Sequence, residues 1–396
     1  MATIRPSSAI PPLLKDLNER QVLETIRSSA PISRAEISRR AGISKPTVST
    51  ALQNLLEAGL VRESEHSPTG PRYGAVFFEP VPDAALVLGI DLGARFLRGA
   101  MCDLDGTIRA RQDVEIGGLD ADGALDAIAE LCESIIEAAN LPHAKIDGAV
   151  VGVPGTVDTD TGAIELVSMR GLQGRRFGAE LGERLNLPVA MENDINLSAV
   201  GEHWAGVARG IDDFVFLSVG TGTGAGVMLR GELHRGRHGA AGEIDLVASG
   251  RDDDIDPSAS AVSALAERMA ESRSDTSLRA PFEVREIFGA ARAGDAVAQD
   301  VVDEVARRIA QHIVALAGAL DVTPVVLGGG IGANADLLLA PIQRLLDKWL
   351  PYPPRVEVSS LGEAAVLTGA LAVGLRSALD SVFVNRVRAS APSAPA

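Results

Sequence analysis

The chain has 396 residues, 46% of them apolar, and a mean hydropathy of +0.15, so it can bury two or three domain cores and is not disordered. Its longest apolar runs fall far short of the roughly 20 residues that a membrane span needs, and we expect no signal peptide. Two cysteines, Cys102 and Cys132, exclude a disulfide framework and a four-ligand zinc site. These features predict a cytoplasmic protein.

The net charge of −16 is unevenly divided along the chain. Residues 1–80 hold ten Lys or Arg against eight Asp or Glu, a net charge of +2, so residues 81–396 carry −18. Only the first segment therefore tolerates a polyanion, and an acidic body discourages non-specific binding to nucleic acid. A generally acidic proteome gives the same numbers, so this division alone does not indicate DNA binding.

Residues 18–58 carry the start and stop signals of three short helices. The first helix is predicted over Asn18–Ser29, with Asn18 as its cap. Ser33 is the predicted cap of the second helix, with Glu36 at the return position of a capping box. After a tight turn, Ser44 is the predicted cap of a third helix that runs through residue 58.

The third predicted helix has polar side chains opposite its apolar stripe, of the lengths that reach base edges and phosphates in a major groove. Two arginines late in the second helix are placed for contacts with the DNA backbone. A β-hairpin of residues 60–63 and 75–78 would form a wing, with residues 66–74 at its tip. The predicted DNA-contacting residues are Arg39, Arg40, Ser44, Lys45, Thr47, Ser49, Thr50, Gln53, Asn54 and Arg72.

This pattern predicts a winged helix-turn-helix DNA-binding domain over residues 1–80. A three-helix interaction module with a merely solvated polar face is the alternative. Residues 79–82, which contain two prolines, are the predicted linker to a second domain over residues 81–396.

Beyond the linker, strands and helices alternate, which predicts an α/β domain. The predicted strands are Leu86–Ile90, Leu97–Asp103, Ile146–Val151, Val189–Glu192, Phe214–Val219 and Val325–Leu327. The predicted helices are Gly123–Asn140, Phe177–Asn186 and Ala296–Leu320.

Two stretches of this domain have the composition of ligand sites. Residues 220–226 follow a strand and have glycine at every second position with two threonines between, which lets a backbone approach phosphate oxygens closely, although hairpins also use such turns. Asp194 ends a strand and opens a helix. Taken alone, it is more typical of a helix cap than of a catalytic base.

The order of these motifs resembles the ROK family, which comprises sugar kinases and related transcriptional repressors. The resemblance covers nearly the whole chain, and the N-terminal domain is similar to that of the repressor branch. It implies a two-lobed fold of the actin-like ATPase type with the ligand cleft between the lobes. The motifs that carry it are Asp91-Leu92-Gly93, residues 152–158, Glu192-Asn193-Asp194, residues 220–226, residues 236–243 and residues 327–332.

By this resemblance, Asn193 and Asp194 would hydrogen-bond sugar hydroxyls and Glu243 would hold another pair. In a kinase, Asp194 would be the general base, and Asp91 would serve magnesium through water. Only a kinase would bind Mg-ATP. The implied nucleotide-binding residues are Asp91, Gly93, Gly220, Thr221, Gly222, Gly224, Gly328, Gly329 and Gly330.

The sequence departs from the family pattern at three places. Asp245-Leu246 replaces a Gly-His pair whose histidine serves both sugar and zinc, and no cysteine follows residue 132. Arg95 replaces the threonine of the first phosphate loop. We therefore expect no structural zinc, no other metal and no cofactor.

These features favour a transcriptional regulator of carbohydrate metabolism genes, predicted to be a repressor. Its expected partners are operator DNA, a sugar or sugar-like effector and a second copy of the chain, in a homodimer or higher homo-oligomer. Leu246, in place of the expected histidine, makes the implied pocket less polar on one side. This predicts an effector other than plain glucose, such as a deoxy, amino or phosphorylated sugar. The alternatives are a bifunctional ATP-dependent sugar kinase that also binds DNA, and a repressor whose body only dimerises.

Overall fold

A computed structural model of the protein describes residues 11–65, 75–166, 169, 171–245, 255–273 and 275–382. The predicted wing tip with Arg72 lies outside the described residues, as does Leu246.

The chain forms fifteen strands and twelve α-helices within the described ranges. The helices are α1 (Pro11–Arg27), α2 (Arg34–Ala41), α3 (Lys45–Glu57), α4 (Ala121–Ala139), α5 (Phe177–Leu185), α6 (Asp194–Ala205), α7 (Ala259–Glu271), α8 (Val284–Arg292), α9 (Ala296–Leu320), α10 (Gly329–Gly332), α11 (Ala335–Trp349) and α12 (Ala365–Val382). The strands are β1 (Ile32–Ser33), β2 (Val61–Glu63), β3 (Phe77–Pro80), β4 (Leu86–Leu92), β5 (Phe96–Asp103), β6 (Ile108–Glu115), β7 (Gly148–Val153), β8 (Thr156–Val157), β9 (Ile164–Glu165), β10 (Val189–Asn193), β11 (Phe214–Val219), β12 (Thr223–Leu229), β13 (Glu232–Leu233), β14 (Val325–Gly328) and β15 (Val356–Val358).

The N-terminal unit, which we call the reader, packs α1, α2 and α3 against a small sheet of order β1-β3-β2. Ser33 and Ser44 cap α2 and α3, and each hydroxyl accepts from the backbone N–H three residues on. The predicted cap of the first helix is wrong, because α1 begins at Pro11 and Asn18 lies inside it. The predicted linker is also too long, since β3 continues through Pro80, which pairs with Val61.

The rest of the chain, which we call the body, has two lobes, each built on a five-stranded mixed sheet. The first sheet has the order β10-β7-β4-β5-β6, with α4 and α5 on one face and α12 on the other. The second has the order β13-β12-β11-β14-β15, with α7, α8, α9 and α11 on one face and α6 on the other. Each sheet combines an antiparallel hairpin with parallel strands, so the α/β prediction is confirmed.

The two lobes meet where α6 packs on α12. The segment Gly362–Ser381, which contains most of α12, is long and apolar enough to cross a membrane by composition alone. It lies between the first sheet and α6, with Leu371 against Gly89 of β4, so it is a core helix of this fold.

The reader and the first lobe share one apolar core. Val22 and Leu52 of the reader belong to the same buried cluster as Leu104 and Leu371 of the body. The Arg27 guanidinium reinforces this contact by donating from Nε to the Leu104 carbonyl at 2.7 Å.

Candidate functional site: a DNA-reading face and a ligand cleft

The outer face of α3 carries most of the polar side chains predicted to contact DNA. Lys45, Thr50 and Gln53 are exposed, and Thr47 and Ser49 are half-buried. The Ser44 and Thr47 hydroxyls lie 2.8 Å apart at the start of the helix. The structure thus brings these side chains together on one solvent-facing surface.

Asn54 departs from that prediction. Its Nδ2 donates to the carboxylate of Glu19 in α1, which is 1% exposed, so the amide is turned into the reader. Burial raises the pKa of Glu19, and the Asn54 hydrogen bond opposes this shift. Asn54 therefore joins α1 to α3 instead of facing DNA.

Arg39 and Arg40 are exposed at the end of α2, and both pair with Glu36 one turn earlier. Hydrogen bonds from Arg39 and Arg40 lower the pKa of Glu36 to about 2. A DNA phosphate would have to compete with this carboxylate for both guanidinium groups.

In the body, Asn193 and Asp194 stand at the start of α6, where the resemblance implies one wall of the ligand cleft. Asn193 caps this helix: its Oδ1 accepts from the Asn196 N–H at 3.0 Å, and its Nδ2 donates to the Gly155 carbonyl at 3.0 Å. The cap of α6 is thus Asn193, and Asp194 is the first helical residue. Asn193 holds the loop after β7 against α6, which leaves one N–H and one oxygen lone pair for a ligand.

The carboxyl group of Asp194, the first residue of α6, has a raised pKa. Its Oδ1 accepts from the Ile195 N–H at 2.8 Å. Burial, followed by the charges of Asp91 and Glu243, raises the pKa of Asp194 to about 7. Burial and the charge of Asp245 also raise the pKa of Glu243. The structure therefore brings Asp91, Asp194 and Glu243 to one acidic space, in which sugar hydroxyls would find acceptors.

The residue before this pair, Glu192, is only 7% exposed and is held by an arginine that the sequence reading missed. Arg235 donates from Nε to Glu192 Oε2 at 2.5 Å, and Asn196 Nδ2 donates to Oε1 at 2.9 Å. Arg235 and Glu192 also line a cavity of about 380 Å³ beside the β8–β9 hairpin. Arg235 thus fixes the strand that delivers Asn193 and Asp194.

The predicted nucleotide-binding glycines also lie together. A Cβ atom at Gly220 would lie 3.4 Å from the Gly330 nitrogen, and Gly329, with φ +79°, lies directly against the Val219 carbonyl. The carbonyl of Gly220 accepts from Ala259 at the start of α7 at 2.8 Å. A cavity of about 420 Å³ opens here, lined by Gly220, Thr221, Phe288, Arg292, Gly330 and Asn334.

Unlike the glycine loops, the residues implied to serve magnesium and the phosphates do not fit a bound nucleotide. Arg98 Nη1 lies 3.2 Å from Asp91 Oδ2, so the carboxylate implied to serve magnesium already has a cation. The carboxylate of Asp245 accepts from the Thr223 N–H at 3.4 Å, in the loop that would cradle phosphates. Arg95, by contrast, is exposed and pairs with Glu115 at 2.9 Å.

Polar contacts from α9 hold the chain at Ile255 and Asp256, just before α7. His312 Nε2 is 3.1 Å from the Ile255 carbonyl, and Arg308 Nη1 donates to the Asp256 carbonyl at 2.6 Å. Both side chains are 2% exposed and come from α9. In the described part of the chain, no group of three or more His, Cys, Asp or Glu residues could hold a metal ion.

Reader and cleft together define a class: a DNA-binding transcriptional regulator whose body has the two-lobed fold of a sugar kinase. Residues 87–376 match the model of the ROK family, and residues 15–70 match that of the MarR family. The chain belongs to the ROK family, and the resemblance drawn from its motifs is confirmed.

The relatives include regulators and kinases. The chain is 27% identical over 391 residues to the xylose repressor of Caldicellulosiruptor bescii, which covers 93% of this chain and 98% of that one. The solved structure of a ROK family transcriptional regulator, a homolog of the E. coli MLC protein, has a TM-score of 0.79 at 21% identity and covers 94% of this chain and 99% of its own. A ROK family glucokinase from Streptomyces griseus, solved with glucose and AMPPNP, has a TM-score of 0.63 at 26% identity and covers 73% and 99%.

Proposed function

We propose that the protein represses genes of carbohydrate metabolism by binding operator DNA as a cytoplasmic homodimer, which releases the operator when an uncharged sugar binds in the cleft. The observation that carries this proposal is the meeting of Asp194 and Glu243 beside the start of α6 in the body, in a chain whose reader presents the exposed polar face of α3. Asn193, Asp194 and Glu243 are the proposed ligand-binding residues.

The charge of the cleft supports an uncharged effector. Asp91, Asp194, Glu243 and Asp245 place four carboxyl groups around the space, and Arg98 is already paired with Asp91. Carboxylates accept hydrogen bonds from sugar hydroxyls and repel phosphate groups. This opposes the phosphorylated sugar among the effectors considered above. Because relatives are named xylose repressors, D-xylose is the first sugar to test.

The melting temperature of the protein tests this proposal against D-xylose, glucose, 2-deoxyglucose and their phosphates, each with and without Mg-ATP. A sugar at about 100 times its Kd should add about 2.7 kcal/mol of stability, and Asp194→Asn should abolish the shift. Asp160→Asn, at an exposed position of a turn, is the matched control and should leave the shift intact. A shift with sugar phosphates alone, or no shift with any sugar, would contradict the proposal.

The second candidate is the bifunctional kinase, which the 420 Å³ cavity beside the glycine loops favours. In that reading Asp194, with its pKa of about 7, would accept the proton of the attacking sugar hydroxyl. The Arg98–Asp91 pair and the Asp245 carboxylate oppose it. We expect no xylose-dependent consumption of ATP, and turnover that Asp194→Asn abolishes would establish the kinase instead.

A further inference from the structure

Helix α6 reaches from the ligand cleft to the edge of the reader. Its first residue is Asp194, and Trp204 lies in its last turn. At 1.5 Å per residue, its twelve residues span about 18 Å. One end of α6 therefore carries a residue proposed to bind the sugar, and the other end lies outside the cleft.

Along its length, α6 belongs to the second lobe and crosses a helix of the first. Ala199 packs against Gly226 of β12 in the second sheet. At the crossing with α12, a Cβ atom at Gly201 would lie 2.4 Å from the Ala365 carbonyl oxygen, and one at Gly369 would lie 1.9 Å from the Leu197 carbonyl oxygen. The backbones of the two helices thus touch at a crossing made by glycines, which is the contact about which the lobes can turn.

At the far end, Trp204 packs on the turn between β5 and β6. A Cβ atom at Gly106 of this turn would lie 3.2 Å from Trp204 Cζ2. Leu104 of the same turn accepts from Arg27 of the reader at 2.7 Å, and its N–H donates to the Pro82 carbonyl at 3.0 Å. One turn therefore contacts the helix of the second lobe, the start of the body and the reader.

The space around this contact permits movement. A cavity of about 490 Å³ lies between α1, α6, α12 and the β12–β13 hairpin, and its lining includes Arg27, Trp204, Leu233 and Leu375. A large ring at the border of a cavity can shift without displacing a packed core, whereas the glycine crossing behind it cannot open as easily.

We propose that α6 is the lever that carries closure of the lobes to the reader, and that Trp204 is its point of contact. This inference rests on the proposed function. A sugar at Asp194 draws the lobes together and α6 turns on α12 at Gly201 and Gly369. Trp204 then displaces the β5–β6 turn, and with it α1, so that α3 leaves the orientation that fits the operator. By linkage, operator binding opposes the same movement.

Three affinities measured on each of two full-length variants test the lever. The variants are Trp204→Ala and, as matched control, Trp349→Ala, whose ring lies at the end of α11 and is 38% exposed. The affinities are the Kd for D-xylose by calorimetry and the Kd for a duplex selected from random DNA by the wild-type protein, without and with saturating xylose. Coupling of this kind typically changes affinity about 5- to 150-fold.

For the wild-type protein and Trp349→Ala, saturating xylose should lower the affinity for the duplex at least about tenfold. For Trp204→Ala, the Kd for xylose and the Kd for the duplex without xylose should both lie within about threefold of the wild-type values. Its affinity for the duplex should nevertheless fall by less than about threefold when xylose is added. Release by the same factor as in Trp349→Ala would overturn the lever. If Trp204→Ala does not fold, Trp204→Leu is judged by the same numbers.

If no sugar of the panel binds to the wild-type protein, the proposed function fails and the lever is judged separately. Trp349→Phe leaves Trp204 as the only tryptophan of the chain. Its emission should shift when the duplex binds, because the reader then fixes the β5–β6 turn against α6. An unchanged spectrum on saturation with the duplex would overturn the lever by itself.

Discussion

Replacing Asp194 with asparagine should stabilise the folded protein, and the gain should grow with pH. Burial, followed by the Asp91 charge, raises the pKa of this carboxyl from 3.8 to about 7. Because the folded state binds the proton more tightly, ionisation costs it stability as the pH rises from 3.8 towards 7. At about 1.4 kcal/mol per pKa unit, the cost reaches at most about 4 kcal/mol at pH 8 and about 1.6 kcal/mol at pH 5.

Scanning calorimetry of both proteins at pH 5 and pH 8 measures this difference. Asparagine keeps an Oδ1 that can accept from the Ile195 N–H, so the local hydrogen bond survives. At about 2 °C per kcal/mol for a large domain, the gain in Tm should reach up to about 8 °C at pH 8 and about 3 °C at pH 5. Asp158→Asn, whose carboxyl has a lowered pKa from its Thr161 hydrogen bonds, should give no gain at either pH. A gain of equal size at both pH values, or a loss at pH 8, would refute the reasoning.

Four further substitutions, with one control variant, test the reader, the phosphate loop and the helix crossing. Lys45→Ala should weaken binding to all DNA sequences alike and lower by about 1 the slope of log binding constant against log salt concentration. Thr50→Ala should instead change the preference between DNA sequences by about 1–3 kcal/mol. Fluorescence anisotropy over a salt series separates the two effects. Asp245→Gly should bind AMPPNP more tightly than wild type in calorimetry, because the carboxylate beside Thr223 is removed; unchanged affinity would contradict its role. Gly201→Ala should lower Tm by several degrees, since its Cβ would meet the Ala365 carbonyl, while Gly289→Ala, which meets open space in α8, should not; equal Tm values would argue against a tight crossing.

The sequence predicted features that depend on neighbouring residues. Ser33 and Ser44 cap their helices because the capping bond closes within three residues. Asn18 has the same chemistry, but whether it caps depends on the residues before it, and these extend α1 to Pro11. The long helix α9 was predicted at its observed bounds, Ala296–Leu320, since its apolar period and its ends are both local.

Features set by contacts between distant residues could not be predicted in this way. Asp91 was expected to serve magnesium, but the register of the β4–β5 hairpin places Arg98 directly opposite it, and the sequence pattern does not define this register. Asn54 has the right chemistry for a base contact, yet Glu19 on another helix takes its amide. Trp204 lay in no motif, because its significance comes from a turn about one hundred residues earlier in the chain.

The central claim is that a sugar in the cleft controls the grip of the reader on DNA. Its most direct test is the anisotropy of a fluorescent duplex, selected from random DNA by the full-length protein, as D-xylose and then the rest of the sugar panel are titrated in. We expect one uncharged sugar to release the duplex from the wild-type protein and to have no effect on Asp194→Asn, whose binding to DNA should be normal. Release by no sugar, or equal release from both proteins, would contradict the account.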